Sequence, residues 1–170
     1  IFSSLVDFCI FLGLSVMIFK LTILSFFLPV VLLNAQVSTS LIGALPENVL
    51  ESSGLIYYNS RLVTHNDSGN SPQLYELDSL GSQILRTITI TNATNIDWED
   101  ITQDDTYIYI GDFGNNSGDR QDLRIYRIEK SEFANFSEVN AEIINFTYED
   151  QTDYSQTQNS DWDAEALVHF

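Results

Sequence analysis

The sequence predicts an all-β chain of β-propeller type, and two observations carry that reading. The first is an internal repeat. Asp97-Trp98-Glu99-Asp100-Ile101, Tyr107 to Asn116 and Leu123 to Ile128 have a weaker copy about 45 residues earlier. That copy comprises Ser53 to Ile56, Leu62 to Gly69 and Leu74 to Asp78, and a third begins at Asp163-Ala164-Glu165-Ala166-Leu167. Repeats of roughly 40–50 residues holding about four short strands each mark propeller blades. The second observation is local: β-branched and aromatic runs alternate with Asn, Asp, Ser and Gly turns, and helical periodicity is nearly absent.

The first 35 residues differ in kind. From Ile1 to Leu33 the only charges are Asp7 and Lys20. Met17-Ile18-Phe19-Lys20 reads as a short positive n-region, Leu21 to Leu33 as an apolar h-region, and Asn34-Ala35 as a cleavage site before Gln36. This is signal-peptide anatomy, with residues 1–16 as upstream sequence outside the native precursor. The competing reading is a retained N-terminal anchor, since about 20 apolar residues cross a bilayer. Residues 36–48 form a lead-in.

The body, 49–170, reads as a partial propeller. Leu55–Tyr58, Arg61–Thr64, Gln73–Leu77 and Ile84–Ile90 make blade one, separated by Asn59-Ser60, Asp67 to Asn70 and Leu80-Gly81. Glu99–Thr102, Tyr107–Gly111, Leu123–Glu129 and Ala141–Tyr148 make blade two. A helical turn is expected within Lys130–Asn140, and an exposed polar loop over Glu149–Asp161. The third copy supplies one strand, Asp163–Leu167. Two blades and a strand do not close a ring of four to eight, so the expectation is an N-terminal fragment whose open edges favour aggregation.

Charge and cysteine usage narrow the chemistry. The net charge is −17, unchanged when Asp7 and Lys20 are removed together. Nucleic-acid and anionic-lipid partners are disfavoured, because phosphate contacts rest on Lys and Arg. Such a surface attracts divalent cations, although most of its carboxylates serve solubility. Cys9 is the only cysteine and lies in the leader, so the mature chain has no disulfide, thiol nucleophile or zinc–cysteine site.

His65-Asn66-Asp67-Ser68-Gly69, Leu74-Tyr75-Glu76-Leu77-Asp78, Asp97-Trp98-Glu99-Asp100-Ile101, Tyr109 to Asn116, Arg120, Ile125 to Ile128 and Asp163 to Leu167 form an ordered series. Together they resemble the phytase-like and SdiA-regulated-like propellers, a group of exported bacterial proteins, over roughly residues 48–170. The resemblance implies six blades and export to the cell surface or medium. It does not imply a reaction, because fold does not fix function.

Three constellations could carry chemistry. The recurring Asp-x-Glu-x-(Ile/Leu), Asp97/Glu99/Ile101 and Asp163/Glu165/Leu167, puts an acid pair and an aliphatic residue on one face of a strand of period two. Acids from successive inner strands could converge on a channel and hold Ca²⁺, which takes six to eight oxygens; alternatively they cap turns. The loop from Asp112 to Asp122, containing Arg120, and its counterpart at Asp67 offer ligand-binding oxygens but no EF-hand spacing. His65 occupies the place of Ile110 if Asp67 is matched to Asp112, which suggests acid–base or ligand duty. No Ser-His-Asp set, Cys-His pair or phosphate loop is present.

Two functions remain: an exported scaffold that binds an extracellular ligand or protein, stabilised by calcium, or a calcium-dependent phosphoesterase of phytase type. The enzyme needs calcium or an Arg/Lys cluster to hold a polyanion, and six basic residues follow the leader. Arg124 and Arg127 read as strand surface. The scaffold ranks first.

Overall fold

The computed structural model describes residues 39–169. The body from Leu41 onward forms one compact unit, and the leader assigned to 1–35 lies outside the described residues. No described helix is long and apolar enough to cross a membrane.

The fold is all-β among the described residues, with nine strands and one short helix. After a 3-10 turn, Glu47–Val49, come β1 (Ser52–Tyr58), β2 (Arg61–Asn66), β3 (Gln73–Leu77) and β4 (Ile84–Ile90). The second repeat supplies β5 (Trp98–Gln103), β6 (Tyr107–Asp112), β7 (Arg124–Glu129), α1 (Lys130–Asn135), β8 (Glu138–Val139) and β9 (Glu142–Asn145). Each repeat is a four-stranded antiparallel meander, β1-β2-β3-β4 and β5-β6-β7-β9, and neither sheet closes on itself.

The repeats share an irregularity. Ser52 pairs with Asn66 and Trp98 with Asp112, and each pair is succeeded by a register shift before Leu55 and Asp100. This common register matches Asn66 to Asp112 and His65 to Gly111, correcting the match of His65 to Ile110. It also corrects the single face assigned to Asp97, Glu99 and Ile101. The bulge turns both Trp98 and Ile101 into the core, as an extra residue does when it breaks the period of two.

The sheets stack face to face. Ile56, Val63, Leu74, Ile88 and Ile90 of the first bury against Trp98, Ile101, Ile108, Ile110, Tyr126 and Ile128 of the second. The innermost strands run side by side: Ser53 Oγ donates to the Glu99 carbonyl at 2.6 Å and Gln103 Nε2 to the Tyr57 carbonyl at 2.8 Å. Gly54 is required at this approach, because a Cβ would lie 2.6 Å from the Ile101 nitrogen. The first sheet's outer face packs Tyr75 and Leu77 under Val49, and leaves Leu55 and Tyr57 exposed.

Three expectations are revised. The helical turn ends at Asn135, where Arg86 donates to the Phe133 and Ala134 carbonyls, groups a helix end cannot satisfy itself. Beyond it the chain forms β8, which leaves its own repeat to pair in parallel with β4 and cover that sheet edge. The outermost strand of the second sheet, β9, ends at Asn145 rather than Tyr148. Asp163–Leu167 forms no strand; it lies along β5, with the Leu167 N–H donating to Asp100 Oδ2 at 2.8 Å. A strand there needs a hairpin partner, and none comes after it within the described residues.

Candidate cation site

The bulge in β5 sends Trp98 inward and leaves Asp97 and Glu99 on the opposite side. Two groups of carboxylates gather there, Asp67/Asp97/Glu99 and Glu99/Asp163/Glu165, with the ligand oxygens of each group within 4.8 Å of one another. Glu99 belongs to both. The five acids come from the loop after β2, the start of β5 and the third repeat copy, so two copies of the Asp-x-Glu motif and a loop acid of the first repeat meet at one end of the inner strands.

Burial and crowding make the arrangement costly. Glu99 is 9% exposed, and its carboxylate lies against that of Glu165. Its pKa is raised to about 8, first by desolvation, then by the hydrogen bond and charge of Glu165 and the charges of Asp97 and Asp67. Asp97 is also raised, by desolvation and then by Asp67, with Arg120 opposing. Like charges held close disfavour ionisation until a proton or cation neutralises them.

The surrounding chain orients these acids. The Asp97 N–H donates to Asp112 Oδ1 at 3.1 Å, and the Gly114 N–H donates to the Asp97 carbonyl at 3.2 Å. Asp163 accepts from the Asn115 N–H at 2.6 Å and from Asn116 Nδ2. Asn95, buried at the repeat junction, donates to the Asn66 and Asp67 carbonyls at 3.0 and 2.7 Å and accepts from the Trp98 N–H. Gly114 lies so close that a Cβ would run into Glu99 Oε1 and Asp97 Oδ2. The two carboxylates thus pack against the bare Cα of Gly114, an approach that a residue without a side chain permits. Close-set carboxylate oxygens of this kind are the ligand type a hard cation takes.

Not every sequence candidate joins the group. Asp112 is fully buried, not a rim ligand: Arg120 Nη2 lies 2.9 Å from its Oδ1 and Arg124 Nε 3.7 Å from its Oδ2. Burial pushes its pKa up against those cations. Arg120 also donates to the Gly114 carbonyl at 2.8 Å and meets Asp122 at 3.2 Å. Its fork is met by protein groups on the loop around Asp112. Arg124 likewise sits at the Asp112–Asp122 pair instead of on open strand surface.

His65 is fully buried, edge-on to Trp98 with ring centroids 5.7 Å apart. Its Nδ1 meets the Asn66 carbonyl at 3.0 Å, while Nε2 has no partner. Desolvation lowers its pKa, against the Asn66 carbonyl, Asp100 and Asp67. It is a core residue at the sheet junction, outside both carboxylate groups. Sequence reasoning missed Asn95; it marked Gly114 as suited to a tight turn or close backbone approach without revealing what the loop covers.

No protein-family model, curated protein or solved structure matches the chain.

Proposed function

We propose that the chain is a β-propeller-type binding scaffold, exported from the cell, in which a divalent cation, calcium, sits at one end of the inner strands. The convergence of Asp67, Asp97, Glu99, Asp163 and Glu165, with Glu99 shared between two groups, is the observation that carries this reading. The propeller architecture is supported by the stacking order: one face of the first sheet buries the opposite face of the second, a head-to-tail relation that generates rings when its rotation closes. The export reading rests on the Met17–Ala35 segment.

The state of the basic residues speaks against an enzyme that grips phosphate with an Arg/Lys cluster, and leaves the calcium-bridged route as the alternative to the scaffold. Among the described residues all six are engaged: Arg61 and Arg86 with Glu76, Arg120 and Arg124 with Asp112 and Asp122, Arg127 with Glu142, and Lys130 with the Asp104 carbonyl. A phosphate held at this site would therefore rely on calcium. Melting the protein with calcium and with chelator tests the cation: calcium raises the melting temperature by several degrees, as a ligand in about hundredfold excess over its dissociation constant adds roughly 2.7 kcal/mol. A melt indifferent to both removes it. Calcium-dependent hydrolysis of phytate that is lost in Glu99→Gln would replace the scaffold with the enzyme.

A further inference from the structure

We propose that the loop after β9 builds a saccharide-binding pocket, apart from the carboxylate site. The inference rests on the scaffold reading, to which it adds a ligand class, and not on the cation. From Phe146 to Ser160 the chain forms neither strand nor helix. A loop of this length is uncommon in a compact domain and, when anchored, is usually a functional element. This one is tied to the turn at Ser117–Asp119 by three hydrogen bonds. Gln151, 7% exposed, donates Nε2 to the Gly118 carbonyl at 2.8 Å. The Thr157 N–H donates to the Ser117 carbonyl at 2.9 Å, and Gln156 Nε2 donates to Asp119 Oδ2 at 2.8 Å. Between the loop and Gly118 lies a cavity of about 400 Å³, within the size range of small-molecule sites.

The lining selects the ligand by elimination. Asp150, Asp153 and Asp161 contribute carboxylates, and no lysine or arginine lines the cavity among the described residues, so an anion is repelled. Thr152 and Asn159 add side chains that donate as well as accept. An ammonium ion only donates, and it would use the carboxylates alone. A hydroxyl does both, so an uncharged polyol serves the carboxylates and the donors together. Trp162 narrows the polyol to a sugar. The residue is half-buried with its indole N–H buried, so what it offers the cavity is carbon surface, the partner for the C–H face of a sugar ring. Its main chain is held on both sides: the N–H donates to Ser160 Oγ at 3.1 Å, and the carbonyl accepts from Asn115 Nδ2 at 3.5 Å.

The chain has two tryptophans, and Trp98 is fully buried in the core, so a ligand-dependent change in tryptophan emission reports Trp162. The full chain is titrated with cellobiose, maltose, lactose and diacetylchitobiose, and with spermidine as the cationic control. At least one disaccharide should give a saturable change. Calorimetry should show that binding weakened about tenfold in Trp162→Ala, the scale of one lost aromatic contact, and comparably in the double variant Asp153→Asn with Asp161→Asn. No response to any disaccharide, or a response to spermidine alone, overturns the inference; so does a disaccharide bound equally well by wild type and Trp162→Ala. Should Trp162→Ala fail to fold, the double variant decides, since both aspartates are exposed: wild-type affinity in it overturns the inference. A melt that calcium raises while no disaccharide binds strikes this pocket and leaves the scaffold and its cation standing.

Discussion

At the residue scale, Glu99 sets the pH behaviour. Its folded pKa, about 8, lies above its ordinary value of 4.5. A carboxyl raised on folding binds more protons in the folded than in the unfolded state, so its contribution is fully present below about 4.5 and is lost as pH rises through about 8. In chelator, the melting temperature should fall between these limits; calcium should remove most of the fall, and Glu99→Gln should flatten it. Thermal melts from pH 5 to pH 9 check this, and a profile unchanged by Glu99→Gln would show the burden lies on other acids. The acids themselves were legible because Asp-x-Glu recurs. Their surroundings were not: spacing does not reveal that Asp112 is buried by Arg120, because the pairing depends on a loop that brings residue 120 back over 112.

At the element scale, the β1–β2 turn carries strain. Asn59 and Ser60 have φ of 49° and 63°, the left-handed pair that two-residue hairpins demand. Asn tolerates this region and Ser does so at a cost of about 1–2 kcal/mol, which glycine's greater chain entropy offsets in part, so Ser60→Gly should stabilise the chain by up to about 1 kcal/mol. Denaturant unfolding checks it, and a loss of stability would mean that the Ser60 side chain makes a contact worth more than the strain. In the core, Trp98→Ala should cost about 3–5 kcal/mol, since its ring fills the junction beside His65 and Tyr126; the same unfolding measurement reads that loss. Strand positions were readable from alternation in Leu123–Ile128 and from turn residues. The β5 bulge was hidden, because an inserted residue changes which face comes next without changing composition. Strand β8 was equally hidden: two residues that cross to another repeat carry no periodic signal.

At the scale of the whole molecule, two sheets share one core while the first sheet's outer face stays partly open, with Leu55 and Tyr57 at 55% and 60% exposure. Apolar surface of this kind promotes association. Sedimentation velocity should show self-association that grows with concentration and that Leu55→Lys with Tyr57→Lys reduces; a monomer at all concentrations would mean that this face is adequately covered. The repeat was legible in the sequence because copies of the same motif recur, whereas the stacking order needed the register of each strand. The convergence upon Glu99 of acids from all three copies of the repeat is the centre of the account, and proton-linked calorimetry addresses it most directly. Calcium is titrated near pH 7 in buffers of different ionisation enthalpy, for wild type and Glu99→Gln. A carboxyl must be deprotonated to hold a metal, so wild type should release about one proton per calcium bound, and Glu99→Gln should bind weakly with almost none released. Tight binding without proton release, or calcium binding unaffected by Glu99→Gln, would contradict it.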